Sequence, residues 1–121
     1  MNPESSLGAQ GESEAARYLE KNGLRVISRH FQTRWGEIDL ICRDQDLLVF
    51  VEVKTRTLAS HPSAAEAITP AKQKRFLNAA LSYIKKHRLE GCALRFDVVL
   101  IEAGRVEWIP SAFEAPNYYT L

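Results

Sequence analysis

Two strand-like runs joined by a short polar turn, between Gly36 and Arg56, constrain the fold of this chain more than any other feature. Both runs are largely apolar, yet each carries charged residues two positions apart. Because side chains in a strand alternate between the faces of a sheet, these charges are predicted to share one face. Charges on a half-buried face need a partner charge or a metal ion. The charged residues are Glu37, Asp39, Glu52 and Lys54.

The turn between the runs predicts which residues oppose one another. With the turn centred on Asp44 and Gln45, Glu37 lies opposite Glu52. Directly opposed carboxylates repel, and a divalent cation would remove that penalty. A solvated ladder of cross-strand salt bridges is the alternative, but Phe50 on the same face favours a partly enclosed cleft. The other face is predicted to be apolar, with Ile38, Leu40, Cys42, Val49, Val51 and Val53.

A helix over residues 13–21 adds a further candidate. Its apolar stripe is Ala15, Ala16 and Leu19, and Glu12 follows the same helical spacing. The Glu12 carboxylate therefore either points toward the sheet or, as a first-turn acid, interacts favourably with the helix dipole. The sequence leaves both interpretations open.

A second helix is predicted from residue 70 to about residue 87, with Thr69 as its N-cap and Pro70 at its first position. Further strands are predicted at 24–29, 93–102 and 105–109, and a loop at 57–68. The order helix, three strands, helix, two strands predicts an α/β fold, a mixed central sheet of about five strands flanked by helices. The buried stripe of the second helix is predicted to be Phe76, Leu77, Ala80, Tyr83 and Ile84.

The length of 121 residues fits a single domain over 1–121, with a tail lacking periodicity from about residue 112. No run approaches the roughly 20 apolar residues of a membrane span, and the first residues lack a signal-peptide pattern. We therefore expect a cytoplasmic protein with no membrane partner. Cys42 and Cys92 are expected to be free thiols. Because they lie far apart in the chain, His30, His61 and His87 are expected to be non-catalytic.

The formal net charge of +1 offers little general attraction for nucleic acid, but the charges are unevenly distributed. Residues 54 to 90 hold eight Lys or Arg against two Glu, which predicts a phosphate-contacting surface. An ordinary solvated helix face is the alternative. Arg95 and Asp97 are predicted to form a structural ion pair, although Asp97 could be a spare acid. The candidate nucleic-acid contacts are Arg56, Lys72, Gln73, Lys74 and Arg75.

Asp39 followed by Glu52-Val53-Lys54 resembles the pattern of the PD-(D/E)-x-K nuclease superfamily, an acid on one strand and acid-x-Lys on the next. Over nearly its whole length the chain also resembles the YraN-like family of small bacterial proteins. Two local departures are Arg29-His30, where Arg-Asn is usual, and Ser60-His61, where Phe-Gly is common. The motifs are Gly8-x-x-Gly11-Glu12, Gly36-Glu37-Ile38-Asp39-Leu40-Ile41, Phe50-Val51-Glu52-Val53-Lys54-Thr55-Arg56, Lys72-Gln73 and Arg95-Phe96-Asp97-Val98-Val99.

The resemblance implies a restriction-endonuclease-like core, similar to archaeal Holliday-junction resolvases, with Glu12 matching their first-helix acid. It implies an endonuclease that depends on Mg2+ or Mn2+ and hydrolyses phosphodiester bonds, in DNA. Asp39, Glu52 and Glu12 would hold the metal, Glu37 would complete or orient the shell, and Lys54 would activate water. The alternatives are a non-catalytic nucleic-acid-binding module and an assembly protein in DNA processing. A homodimer is expected if branched junctions are the substrate, because two strands need two sites.

Overall fold

The order of helices and strands is the predicted one. The computed structural model describes residues 3–56 and 68–114, with side chains for 9–55 and 68–114. In chain order the elements are α1 (Pro3–Lys21), β1 (Arg25–Thr33), β2 (Gly36–Asp44), β3 (Leu47–Arg56), α2 (Pro70–Lys86), β4 (Leu94–Glu102) and β5 (Arg105–Phe113). The loop predicted at 57–68, except Ile68, and most of the tail lie outside the described residues.

The five strands form one mixed sheet in the order β1-β2-β3-β4-β5. β3 and β4 are parallel and are connected through α2, whereas the other neighbours are antiparallel. A parallel pair requires such a crossover, which a helix commonly supplies. The predicted α/β class and mixed five-stranded sheet are confirmed.

Each face of the sheet is covered by one helix, so the core has two layers. The α1 stripe packs on the sheet residues Leu40, Cys42, Val49, Val51, Val99 and Ile101. The α2 stripe of Phe76, Leu77, Ala80, Tyr83 and Ile84 is buried as predicted, together with Ala79, against Ile38, Ile41, Leu48, Phe50 and Phe96. A sheet buried on both faces explains why its strands read as nearly continuous apolar runs.

The predicted register of the β2–β3 hairpin is wrong. Asp44 pairs with Leu47, so Gln45 and Asp46 form the turn, and Gln45 has a positive φ of 56°. This register places Leu47 in β3, where it packs against the α1 layer. The partner of each β2 residue changes by two positions, which preserves the face. The new register no longer places Glu37 opposite Glu52. Moreover, the paired region ends at Leu40 and Val51, so neither glutamate lies within it.

The predicted position of Ile38 on the same face as Leu40 and Cys42 is also wrong. Ile38 is buried in the α2 layer, although Leu40, two residues later, is buried in the α1 layer. The alternation of faces therefore breaks between them, at Asp39. There β2 no longer pairs with β3 through its backbone; instead the Val53 N–H donates to Asp39 Oδ2 at 2.8 Å. Strand periodicity alone does not reveal such a break.

Helix α1 begins at Pro3 rather than at residue 13. Glycine is disfavoured in helix interiors, and the segment before residue 13 contains Gly8 and Gly11. Gly11 has a packing role, because a Cβ at this position would lie 2.2 Å from Thr55 Oγ1. Close approach of α1 to β3 therefore depends on glycine here. β1 and β5 are likewise longer than predicted.

The ion pair of Arg95 and Asp97 is confirmed and is structural. Arg95 Nε and a second guanidinium nitrogen donate to the two Asp97 oxygens, each at 2.8 Å. The Trp108 indole and the Ser111 N–H also donate to Asp97, which is fully buried. The β4–β5 register shifts between Phe96 and Val98, so Asp97 holds the irregular part of β5 in place.

Cys42 and Cys92 are free, as predicted. Burial raises the pKa of the Cys42 thiol to about 12, so this side chain is a protonated core residue at neutral pH. The ring of His87, the C-cap of α2, lies 4.3 Å from the Tyr83 ring, and His61 lies outside the described residues. Neither α1 nor α2, as far as they are described, is long and apolar enough to cross a membrane.

Candidate functional site

Glu12 points toward the sheet from the middle of α1. It is 9% exposed, between the glycine at position 11 and the buried Ala15 and Ala16. The first of the two interpretations left open by the sequence is therefore confirmed. The helix-dipole interpretation is wrong, because α1 begins at Pro3 and Glu12 is not in its first turn.

An irregularity in β1 brings His30 to the same place. Val26 pairs with Cys42 whereas Ser28 pairs with Ile41, so β1 contains one extra residue there. Bulges of this kind redirect the side chains that follow. His30 itself has a φ of 54°, the left-handed region in which Asn, Asp and His are enriched among non-glycine residues.

The His30 ring lies between two carboxylates. Its Nε2 is 2.5 Å from Glu12 Oε2 and its Nδ1 is 2.5 Å from Glu37 Oε1. The first contact is close enough for an ion pair but lacks hydrogen-bond geometry, so buried Glu12 Oε2 has no hydrogen-bond partner among the described residues. One ligand atom from each of Glu12, His30 and Glu37 lies within 4.8 Å of the others. We call these three residues and Asp39 the acid–histidine cluster.

Asp39 joins the cluster to a pocket on the α2 side. Its charge raises the pKa of both Glu12 and Glu52, so it lies near each. Glu52 lines a pocket of about 200 Å3 together with Glu37. Lys54 Nζ lies 3.6 Å from Glu52 Oε1, which confirms that the two side chains point to the same side. We call this the acidic pocket; its lining includes Trp35, Glu37, Glu52, Lys72, Arg75 and Phe76.

The carboxylates have an unusually high affinity for protons. Burial and the charge of Asp39 raise the pKa of Glu12 to about 7, although His30 opposes the shift. Burial and Asp39 also raise the pKa of Glu52 to about 7, against the lowering effect of Lys54. Burial raises the pKa of Asp39, which the Val53 N–H partly offsets. The hydrogen bond to Glu37 raises the pKa of His30. Perturbed groups gathered in one cleft are typical of functional sites.

The predicted nucleic-acid contacts divide into four groups. Lys72 and Arg75 line the acidic pocket, and Lys72 lowers the pKa of Glu52 by its charge. Lys74 is exposed on α2 outside that pocket. The Gln73 amide donates to the Ile68 carbonyl at 3.2 Å, beside the helix N-terminus, where the Thr69 hydroxyl accepts from the Lys72 N–H as the predicted N-cap. The Arg56 side chain lies outside the described side chains.

Sequence reasoning missed two residues of this region. His30 was predicted to be non-catalytic, yet it contacts two of the candidate acids. The signal was its substitution for the usual Asn, but the bulge that redirects it is not visible in the sequence. Trp35 lines the acidic pocket and is 39% exposed. Its position directly before Gly36-Glu37 was the available signal.

Residues 11–101 match the family model of the uncharacterised protein family UPF0102, and the chain belongs to this family. A UPF0102 protein of Herminiimonas arsenicoxydans is 45% identical, covering 90% of this chain and 87% of the relative. One of Dechloromonas aromatica is 47% identical, covering 93% and 92%. The YraN-like resemblance is thereby confirmed. Among solved structures, Hjc, a Holliday junction resolvase of Archaeoglobus fulgidus, aligns with 90% of this chain and 82% of its own, at 16% identity and a TM-score of 0.47.

Proposed function

We propose that this protein is a divalent-cation-dependent phosphodiester hydrolase that acts on DNA. The observation that carries the proposal is the convergence of Glu12, His30 and Glu37, from one helix and two strands. One ligand atom from each lies within 4.8 Å of the others, and Glu12 is largely buried. Acids that repel one another in a partly buried site are stabilised when a cation neutralises them.

The donor atoms fit such a cation. Carboxylate oxygens suit Mg2+ and Mn2+, and the imidazole of His30 shifts the preference from Mg2+ toward Mn2+. Glu12, His30 and Glu37 would hold the ion, and Asp39 and Glu52, the other acids predicted from the sequence, would complete the acidic shell. A bound cation of this kind supplies Lewis-acid chemistry, lowering the pKa of water and neutralising phosphate charge.

The remaining side chains would orient the reactants. Glu52 lies in the acidic pocket beside Lys54, where its carboxylate would accept a hydrogen bond or a proton from the attacking water. Lys54, held beside Glu52, would position the attacking water and the scissile phosphate. Lys72 and Arg75 at the rim of the acidic pocket would attract the phosphates of the strand.

Cleavage of labelled nucleic acids tests this function. The substrates are a four-way junction, a forked duplex, a single strand, a blunt duplex and an RNA strand, each with Mg2+, Mn2+ or EDTA. We expect the parent to cut at least one DNA in the presence of metal. Lys54→Ala should keep metal and DNA binding but lose cleavage by about 100-fold or more, whereas Lys21→Ala on exposed α1 should cut like the parent. If the purified parent cuts no DNA, or Lys54→Ala cuts as fast, the assignment fails.

The second candidate is a non-catalytic nucleic-acid-binding module. It is favoured by a separate surface of Arg34, Lys85 and Lys86, which lines a groove without carboxylates among the described residues. Such a module would bind the same DNAs with a strong salt dependence and cut none of them. The cleavage assay therefore separates the two candidates directly.

A further inference from the structure

The β1–β2 turn contains a large aromatic side chain, Trp35, that remains partly exposed. Thr33 pairs with Gly36, so Arg34 and Trp35 are at the tip of the turn. Trp35 is 39% exposed, although burial of so large a side chain would be favourable. The Thr33 hydroxyl donates to the Gly36 carbonyl and accepts from the Trp35 N–H, both at 3.0 Å. The turn is thereby fixed, and it holds the ring at the surface.

Cations lie next to this ring. The Arg34 guanidinium is 4.6 Å from the centre of the Trp35 ring, a cation–π contact. A groove of about 640 Å3, lined by β1, the turn and α2, includes Lys85 and Lys86 and no carboxylate among the residues described. We call it the basic groove; its lining includes Phe31, Arg34, Trp35, Ser82, Lys85 and Lys86.

The basic groove and the acidic pocket meet at Trp35, which lines both. A strand with phosphates in the basic groove would therefore pass the Trp35 ring before it reaches Glu37 and Glu52. Aromatic rings beside basic grooves stack on unpaired bases with little sequence preference. Bases inside a duplex are already stacked on their neighbours, and taking them out costs a few kcal/mol.

We propose that Trp35 stacks on an unpaired base beside the scissile phosphate, so that the substrate class is DNA with single-stranded nucleotides rather than uninterrupted duplex. The assignment of a scissile phosphate rests on the proposed function, but the stacking contact does not require cleavage. The three cations of the basic groove complement the phosphates of such a strand. The alternative is that Trp35 contacts a protein partner, but the cationic lining of the basic groove favours nucleic acid.

Fluorescence anisotropy in EDTA tests the stacking without cleavage. The probes are a labelled oligo-dT single strand and a blunt duplex of the same length. Trp35→Ala should weaken single-strand binding by about 5- to 100-fold, the range that one base–aromatic stack supplies, and duplex binding far less. Trp35→Phe should retain most of the affinity. Ile27→Ala changes a side chain of similar exposure, 37%, outside the basic groove, and should bind both probes like the parent.

Tryptophan fluorescence provides a second measurement that does not depend on the folding of Trp35→Ala. Oligo-dT should quench the tryptophan fluorescence of the parent. Most of this quenching should be absent in Trp35→Phe, which retains Trp108. Unchanged single-strand affinity in Trp35→Ala, or equal loss for single strand and duplex, overturns the inference. A parent that binds the single strand through Trp35 yet cuts no DNA refutes only the proposed function. A parent that cuts DNA, with unchanged substrate preference in Trp35→Ala, refutes only the stacking.

Discussion

At the scale of single residues, the candidate site is defined by acidic side chains whose ionised form destabilises the metal-free fold. Glu12 and Glu52 both have a pKa raised to about 7, chiefly by burial and then by Asp39. A carboxyl whose pKa is higher in the folded state than in the unfolded chain binds its proton more tightly when folded. Its contribution to stability is present below the unfolded value of about 4.5 and is lost as the pH rises through about 7. The raised pKa of His30 acts in the same direction.

This linkage predicts the behaviour of Glu12→Gln. The variant cannot ionise, so at pH 8 it should be more stable than the parent by on the order of 2 kcal/mol, and at pH 5 the two should be nearly equal. Urea unfolding without metal at both pH values measures the difference. Glu20→Gln, on the exposed side of the same helix, should give no pH-dependent difference. A parent whose stability relative to Glu12→Gln is independent of pH would show that Glu12 ionises normally.

The residues of the site were only partly predictable from the sequence. The period-two charges and the position of Glu12 on the apolar stripe were sufficient to select the acids. His30 was not predictable, because its side chain reaches Glu12 and Glu37 only through the extra residue in β1 and a left-handed backbone. Strand periodicity assumes regular alternation, and both β1 and β2 break it near the site.

At the scale of helices and strands, the close approach of α1 to β3 positions Glu12. The sequence predicted both helices and all five strands, because apolar periodicity and turn residues are local signals. It missed the first part of α1, where Gly11 is required for helix–sheet contact rather than for a turn. The reason lies in the tertiary structure, at Thr55, which is distant in sequence.

Gly11→Ala is therefore predicted to destabilise the protein by a few kcal/mol, since the new Cβ would lie 2.2 Å from Thr55 Oγ1. In a Thr55→Ala background this clash is absent, and the same substitution should be neutral or stabilise by up to about 1 kcal/mol through helix propensity. Unfolding of the four proteins of this double-mutant cycle measures the coupling. Equal costs of Gly11→Ala in both backgrounds would contradict the packing argument.

Helix α2 is predicted to bind phosphates through the residues at its N-terminal end that line the acidic pocket. Replacing Lys72 and Arg75 together by Ala should weaken DNA binding and reduce the slope of log affinity against log salt by about two units, one for each lost contact. Lys74→Ala, on the same helix but outside the pocket, should change the slope by less than one unit. Binding titrations over a range of salt concentrations give these slopes. A slope unchanged by the double substitution would identify α2 as an ordinary solvated face.

At the scale of the whole molecule, two helical layers enclose the sheet and leave one continuous candidate surface. It runs from the acid–histidine cluster through the acidic pocket to the basic groove, with Asp39 and Trp35 at the two junctions. The near-zero net charge of the chain conceals the basic groove, whose lining holds three cations and no carboxylate among the described residues. The sequence indicates part of this groove, since Lys85 and Lys86 belong to the excess of Lys and Arg between residues 54 and 90. It could not indicate that the β1–β2 turn lies beside α2.

Calorimetric titration of Mn2+ into the protein at pH 8 tests the central claim, that the converging acids form a cation site. The parent should bind the ion, and Glu12→Gln and Asp39→Asn should each weaken binding by about tenfold or more, while both variants without metal are at least as stable as the parent. Asparagine retains an oxygen for the Val53 N–H, so the fold should be maintained. Asp46→Asn, in the exposed β2–β3 turn, should bind like the parent. Equal Mn2+ affinity in the parent and in both site variants, or no binding by the parent, would contradict the account.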